Sequence, residues 1–165
     1  MKQKLLIIDD SPPLHAIVRS RLAAEAVEIH AAPDAACGLG LCETIKFDVI
    51  LLDIDLPNSQ ALDLCRKLKS NPATSAIPII FLTGVASSER KIAALELGAL
   101  DFITKPFDPI ELRARVRAAL RTKHLLDLLS DKAMIDGLSG LWNRAYFDQR
   151  LAAETNHAKR IGSTF

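Results

Sequence analysis

The chain has 165 residues, 49% of them hydrophobic and 25% charged, the composition of a globular domain with enough chain for a full core and a short addition. A formal net charge of +1 argues against blanket attraction to nucleic acid or to an anionic membrane surface. No apolar run approaches the ~20 residues that span a bilayer, the opening MKQKLLIIDD is too short in its apolar part for a signal peptide, and Cys37, Cys42 and Cys65 have no metal or redox spacing, so reduced thiols in a cytoplasmic protein are expected.

Residues 4–8 form an apolar run that ends in two acids, Asp9 and Asp10, which predicts a buried strand. Ser11 then reads as a helix N-cap, with Pro12 at the first helical position and an apolar stripe through Leu14, Ile17, Val18 and Leu22. A brief strand over 27–31 is followed by a small helix, capped by Asp34 and running to about Thr44. The stretch FDVILLDIDLP, residues 47–57, is the centre of the pattern. Its β-branched and leucine run reads as a strand buried on both faces, and it ends in Asp53 with Pro57 forcing a loop beyond. Residues 60–69 make an amphipathic helix closed by Asn71 and Pro72, and 77–82 a fourth strand ending in Thr83. Residues 87–97 are helical and stop at Gly98; 100–104 form a fifth strand ending in Lys105 and Pro106. From Asp108 a helical pattern continues without proline or glycine until Gly137, longer than an ordinary globular helix. Leu112, Val116, Ala119, Leu126 and Ala133 fit a heptad seam that Lys123 and Ser130 interrupt. Two readings stay open: a domain-closing helix prolonged as a coiled-coil stalk, or two helices with a bend near Thr122.

Five short strands alternating with helices imply an α/β fold: a five-stranded parallel sheet, doubly wound with right-handed crossovers, in the order 2-1-3-4-5. That order brings Asp9, Asp10 and Asp53 to one sheet edge, where open α/β folds place their ligands. Three carboxylates there repel one another unless a hard divalent cation sits among them, and magnesium suits a site of few carboxylates and several waters. A carboxylate beside such a cation can attack phosphorus. Thr83 and Lys105, at the ends of their own strands on the same edge, offer a hydroxyl and an ammonium to the transferred group, and Gly84 leaves room for its oxygens. Each feature alone is commonplace, since an acid pair after a strand is usually a turn. The conjunction on strands one, three, four and five carries the chemistry.

The pieces IIDDSP, VILLDIDLP, IIFLTG and GALDFITKPF resemble the receiver domain of response regulators in two-component signalling, the CheY-like form of the flavodoxin-type fold. The resemblance covers residues 1–122. It implies that Asp53 is the phosphoacceptor, that Asp10 binds Mg2+ directly and Asp9 through water, and that the backbone carbonyl of Asp55 completes the protein ligands. It implies that Thr83 and Lys105 contact the phosphoryl group, that Phe102 is a switch aromatic that follows Thr83, and that Lys105–Pro106 is a cis peptide. The implied phosphodonor is a sensor histidine kinase. Lys91, Asp101, Glu111 and Arg115 match charges that pair across a homodimer face of relatives, built from the fourth helix, fifth strand and fifth helix. Leu97 and Leu100 depart from that pattern and make the face partly apolar. The basic run Arg113, Arg115, Arg117, Arg121 and Lys123 reads as a solvated helix face, not a nucleic-acid surface, and no membrane partner is implied.

Residues 136–151, DGLSGLWNRAYFDQRL, are similar to the opening of the GGDEF domain of diguanylate cyclases, with Ser139 and Ala145 departing from its pattern. Gly137 and Gly140 predict a turn, and 142–153 a new helix. The expected organisation is a receiver over 1–122, a stalk over 123–135 and the start of a GGDEF domain over 136–165, without that domain's catalytic residues, in the manner of an amino-terminal piece of a longer cyclase. Two other readings compete. One is a stand-alone receiver whose tail docks a partner. The other is a phosphatase of the haloacid-dehalogenase type, against which the acid pair precedes the nucleophile and no cap is present.

Overall fold

The computed structural model describes residues 2–57, 60–84 and 88–133, with the side chains of 131–133 left aside. Two compact units divide the chain, Met1–His124 and Leu125–Phe165, and the account below concerns the first. The expected turn at Gly137 and Gly140 and the helix over 142–153 lie outside the described residues.

In chain order the elements are β1 (Gln3–Ile8), α1 (Pro12–Arg21), β2 (Val27–Ala32), α2 (Ala35–Thr44), β3 (Val49–Asp53), α3 (Gln60–Ser70), β4 (Ile79–Thr83), α4 (Ser88–Glu96), β5 (Asp101–Thr104) and α5 (Pro109–Ala133). The strands form one parallel sheet in the order β2-β1-β3-β4-β5, as the alternation of strand and helix predicts. Register follows from the period of two along each strand. Leu6, Ile8, Ile50, Leu52, Ile79 and Phe81 face one layer of core with Leu64 and Leu68 of α3. Leu5, Ile7, Val49, Leu51, Ile80 and Leu82 face the other, with Val18 of α1 and Leu112 and Val116 of α5. Every residue of β3 and of β4 is buried. Asp48 locks the entry to β3, its carboxylate accepting from the Lys4 N–H at 2.6 Å while its own N–H donates to the Lys4 carbonyl at 2.8 Å.

Local chemistry sets the helix ends. Asp34 caps α2 by accepting from the Cys37 N–H at 2.8 Å, and Asp108 caps α5 by accepting from the N–H groups of Ile110 and Glu111. Gly98, at φ +90°, ends α4 in a Schellman turn, with the Ala99 N–H on the Ala94 carbonyl and the Gly98 N–H on that of Leu95. Ser11 departs from expectation. It occupies the cap position of α1 but its side chain makes no cap bond; its backbone N–H is turned instead to Asp9 Oδ1, at 2.8 Å.

Three further expectations change. The fourth strand begins at Ile79, not residue 77: Pro78 has no N–H for the ladder, although its carbonyl still accepts from Ile50. Leu112, Val116 and Ala119 are not a coiled-coil seam; all three are fully buried against the sheet, with Leu120 beside them, whereas Leu126 is exposed. α5 runs unbroken past Thr122 to Ala133, so the helical period there reports domain closure first. Leu97, expected on an exposed face, packs against the first core layer. The cysteines are free thiols, Cys37 exposed and Cys65 buried, and burial pushes the Cys42 thiol up to about 11. No helix among the described residues is long and apolar enough to cross a membrane.

Candidate functional site

Parallel strands all present their carboxyl ends to one edge, and β1, β3, β4 and β5 deliver Asp9, Asp53, Thr83 and Lys105 there. β1 and β3 are direct neighbours in register, Ile8 opposite Leu52. The acids that follow them therefore meet, however distant in sequence. Carboxylate oxygens of Asp9, Asp10 and Asp53 all lie within 4.8 Å of one another, with Asp10 exposed and the other two buried. Asp9 and Thr83 are fully buried and Asp53 is 4% exposed.

Buried acids need compensation, and Lys105 supplies it. Its ammonium Nζ donates to Asp9 Oδ2 at 2.7 Å and lies 3.0 Å from Asp53 Oδ1. The Lys105–Pro106 peptide bond is cis. Burial pushes the Asp53 carboxyl above the usual carboxylate range, against the opposing pull of Lys105 and of the Asp55 N–H, which donates to Asp53 Oδ1 at 3.2 Å. Burial alone would lower Lys105, but its hydrogen bonds to Asp9 and Asp53 and their charges outweigh that, and its net shift is upward. Asp9 is held further by the Ser11 N–H on Oδ1, and His15 Nε2 lies 2.8 Å from its carbonyl oxygen. Three hard carboxylate donors at this spacing fit a divalent cation of the magnesium type, and the ammonium between two of them marks where positive charge is favourable.

Asp55, two residues past Asp53, turns its side chain to the rim. Its Oδ2 accepts from the Gly84 N–H at 3.4 Å and its Oδ1 from Arg90 Nη1 at 2.9 Å, while Arg90 Nη2 donates to the Ile54 carbonyl at 2.5 Å. Arg90 escaped the sequence reading. The signal was its place in the first turn of α4, directly after the β4 tip. At Gly84 the backbone N–H is itself engaged, on Asp55 Oδ2. Among the described residues, a Cβ there would lie 3.8 Å from that same oxygen, an ordinary contact distance.

The remaining expected residues lie away from the acids. Phe102 is half-buried and stacks on Phe81 with ring centroids 5.8 Å apart. Arg115 is ion-paired within the chain to both Asp101 and Glu111, and Lys91 is half-buried on α4. Around them Ile92, Leu95, Leu100 and Ile110 are exposed, an apolar surface on the α4–β5–α5 side. Of the basic run on α5, Arg115 is thus internally satisfied, and Arg117 pairs with Glu25 at 2.8 Å.

Comparison with known proteins identifies the family and the fold. Residues 5–117 match the family model described as the response regulator receiver domain. The chain is 34% identical over 154 residues to response regulator PleD of Caulobacter vibrioides, covering 85% of this chain and 34% of that protein. It is 37% identical over 146 residues to the phosphate regulon transcriptional regulatory protein PhoB of Pseudomonas aeruginosa, covering 81% of this chain and 64% of that one. Among solved structures, the response regulator receiver domain protein (CheY-like) of Methanospirillum hungatei superposes with a TM-score of 0.70 at 28% identity, over 75% of this chain and 98% of that chain. The chain thus spans about a third of PleD and just under two thirds of PhoB.

Proposed function

The chain belongs to the response regulator receiver family, and from that premise we propose that it is a phosphorylation switch whose phosphoacceptor is Asp53. The observation that carries the reading is the convergence of Asp9, Asp10 and Asp53 with the Lys105 ammonium at one sheet edge. The donor is a sensor histidine kinase. A carboxylate oxygen of Asp53 attacks phosphorus, the N–P bond of the donor phosphohistidine breaks, and its electron pair returns to the imidazole. The carboxylates of Asp10 and Asp53 and the backbone carbonyl of Asp55, with Asp9 through water, would hold magnesium, which would supply positive charge against the phosphoryl oxygens. Lys105 exchanges a carboxylate partner for the arriving phosphoryl oxygens, and Thr83 gives them a hydroxyl from the tip of β4. Phe102, beside Phe81 and one strand from Thr83, carries the change to the face of α4, β5 and α5. There Lys91, Asp101, Glu111 and Arg115 edge a homodimer contact.

The output is a diguanylate cyclase domain, reached through a stalk over 123–135 and beginning at residue 136. Support comes from the GGDEF-like residues 136–151 and from a match to PleD of 154 residues, longer than the receiver itself.

The test is uptake of phosphate from acetyl phosphate with magnesium, read by intact mass. Wild type gains one phosphoryl group, and Asp53→Asn gains none while keeping its thermal transition. Labelling of Asp53→Asn equal to wild type would refute the assignment.

A further inference from the structure

Two anion-seeking donors at the rim have no part in the reading above: the Gly84 N–H and the Arg90 guanidinium. A backbone N–H beside a guanidinium is a pairing by which proteins hold phosphate oxygens. Here both donors are taken by one carboxylate, that of Asp55, one on each oxygen, at 3.4 Å and 2.9 Å. The same residue gives its backbone N–H to Asp53 Oδ1 at 3.2 Å. Arg90 is also tethered by Nη2 to the carbonyl of Ile54, at 2.5 Å, one peptide from the phosphoacceptor. If Nη1 lets go of Asp55, that second bond keeps the guanidinium at the site.

We propose that the Asp55 carboxylate is a resident stand-in for the phosphoryl group, and that Arg90, once exchanged from it, becomes a ligand of phosphorylated Asp53 alongside Thr83 and Lys105. The inference rests on Asp53 being the phosphoacceptor. Charge decides the exchange. Arg90 and Asp55 are 37% and 43% exposed in their side chains, and ion pairs at such exposure are weak. A phosphoryl group carries nearly twice the charge of a carboxylate and three acceptor oxygens. Gly84, adjacent to Thr83, shifts its N–H with the same strand tip. Asp55 therefore holds the donors in place while Asp53 is bare and yields them when it is not, so that the resting protein keeps no uncompensated cation at its mouth.

The experiment is titration with beryllofluoride and magnesium, a mimic of the phosphorylated aspartate, followed by fluorine NMR. Wild type, Arg90→Ala, Asp55→Asn and the double variant are compared, with Asp53→Asn as the blank. Arg90→Ala is expected to bind several-fold more weakly than wild type. In the Asp55→Asn background, where no carboxylate competes, removing Arg90 costs about tenfold, the loss of one charge-assisted hydrogen bond. Arg90→Lys recovers part of the affinity, which a purely structural role would not require. Arg90→Gln, able to keep the bond to the Ile54 carbonyl, serves if Arg90→Ala fails to fold. Unchanged binding in Arg90→Ala and Arg90→Gln, or an equal loss with and without Asp55, overturns this inference alone. Failure of wild type itself to bind would overturn the reading of Asp53, and this inference with it.

Discussion

The Lys105 ammonium, at the tip of β5, stands 3.0 Å from Asp53 Oδ1 at the tip of β3, and this one cation offsets carboxylates that are almost wholly buried. Replacing it with the neutral isostere, Lys105→Met, leaves Asp9 and Asp53 uncompensated. The expected loss in metal-free buffer is on the order of 3 kcal/mol, as for breaking other buried pairs by removing one partner. Magnesium held among the carboxylates would replace the missing charge. Added magnesium should raise the melting temperature of the variant more than that of wild type; equal increments would show that the lysine does not neutralise the cluster.

Two glycines of α2 give an opposed pair of predictions. A Cβ on Gly38 would lie 2.5 Å from Ile8 Cδ1 and 3.1 Å from its Cγ1, and Ile8 is fully buried. Overpacking of this kind costs about 1–3 kcal/mol, more than the ~1 kcal/mol that alanine gains over glycine in a helix. Gly40 has nothing within 4 Å of the same position. Gly38→Ala should therefore lower the urea midpoint and Gly40→Ala raise it, a sign difference that one denaturation series decides.

Lys69 offers a test against pH. Its ammonium donates to the carbonyls of Ser75 and Ile77, at 3.0 and 2.7 Å, and joins the end of α3 to the approach to β4. Burial, opposed by the neighbouring Cys65, holds its pKa below the ordinary lysine value. The unfolded chain then binds more protons than the folded one between that lowered pKa and the unfolded value of about 10.4, so stability rises with pH across the interval. At neutral pH, Lys69→Met should be less stable by about 1–3 kcal/mol through the lost bonds. The gap to wild type should widen as pH climbs toward the unfolded value. A gap that narrows instead would contradict the burial argument.

The sheet was legible because its signal is local and redundant. Residues 49–53 read as a strand buried on both faces from their apolar run, and strand adjacency then placed Asp9 and Asp10 beside Asp53 without any knowledge of side-chain positions. Gly98 announced the end of α4 because only glycine readily takes its backbone angle. What escaped was pairing between surface groups far apart in sequence. Nothing in the string connects Arg90 with Asp55, since neither lies in an apolar period. Leu112, Val116 and Ala119 show the complementary limit: their spacing reveals a helix with an apolar stripe but not which surface covers the stripe, and a sheet and a second helix leave the same periodic trace. Ser11 was placed correctly at the cap of α1, but its spacing does not tell whether the hydroxyl makes the cap bond. Its backbone N–H donates to Asp9 Oδ1, a contact that only the folded backbone reveals.

All five residues of β3 are buried, and the strand is paired on one edge with β1 and on the other with β4. Asp53, the proposed phosphoacceptor, is therefore mounted on a strand held on both edges and both faces. An anvil does not move under the blow. On the proposed reading, rearrangement falls to the groups beyond the strand ends: the hydroxyl of Thr83 and the first turn of α4, which carries Arg90.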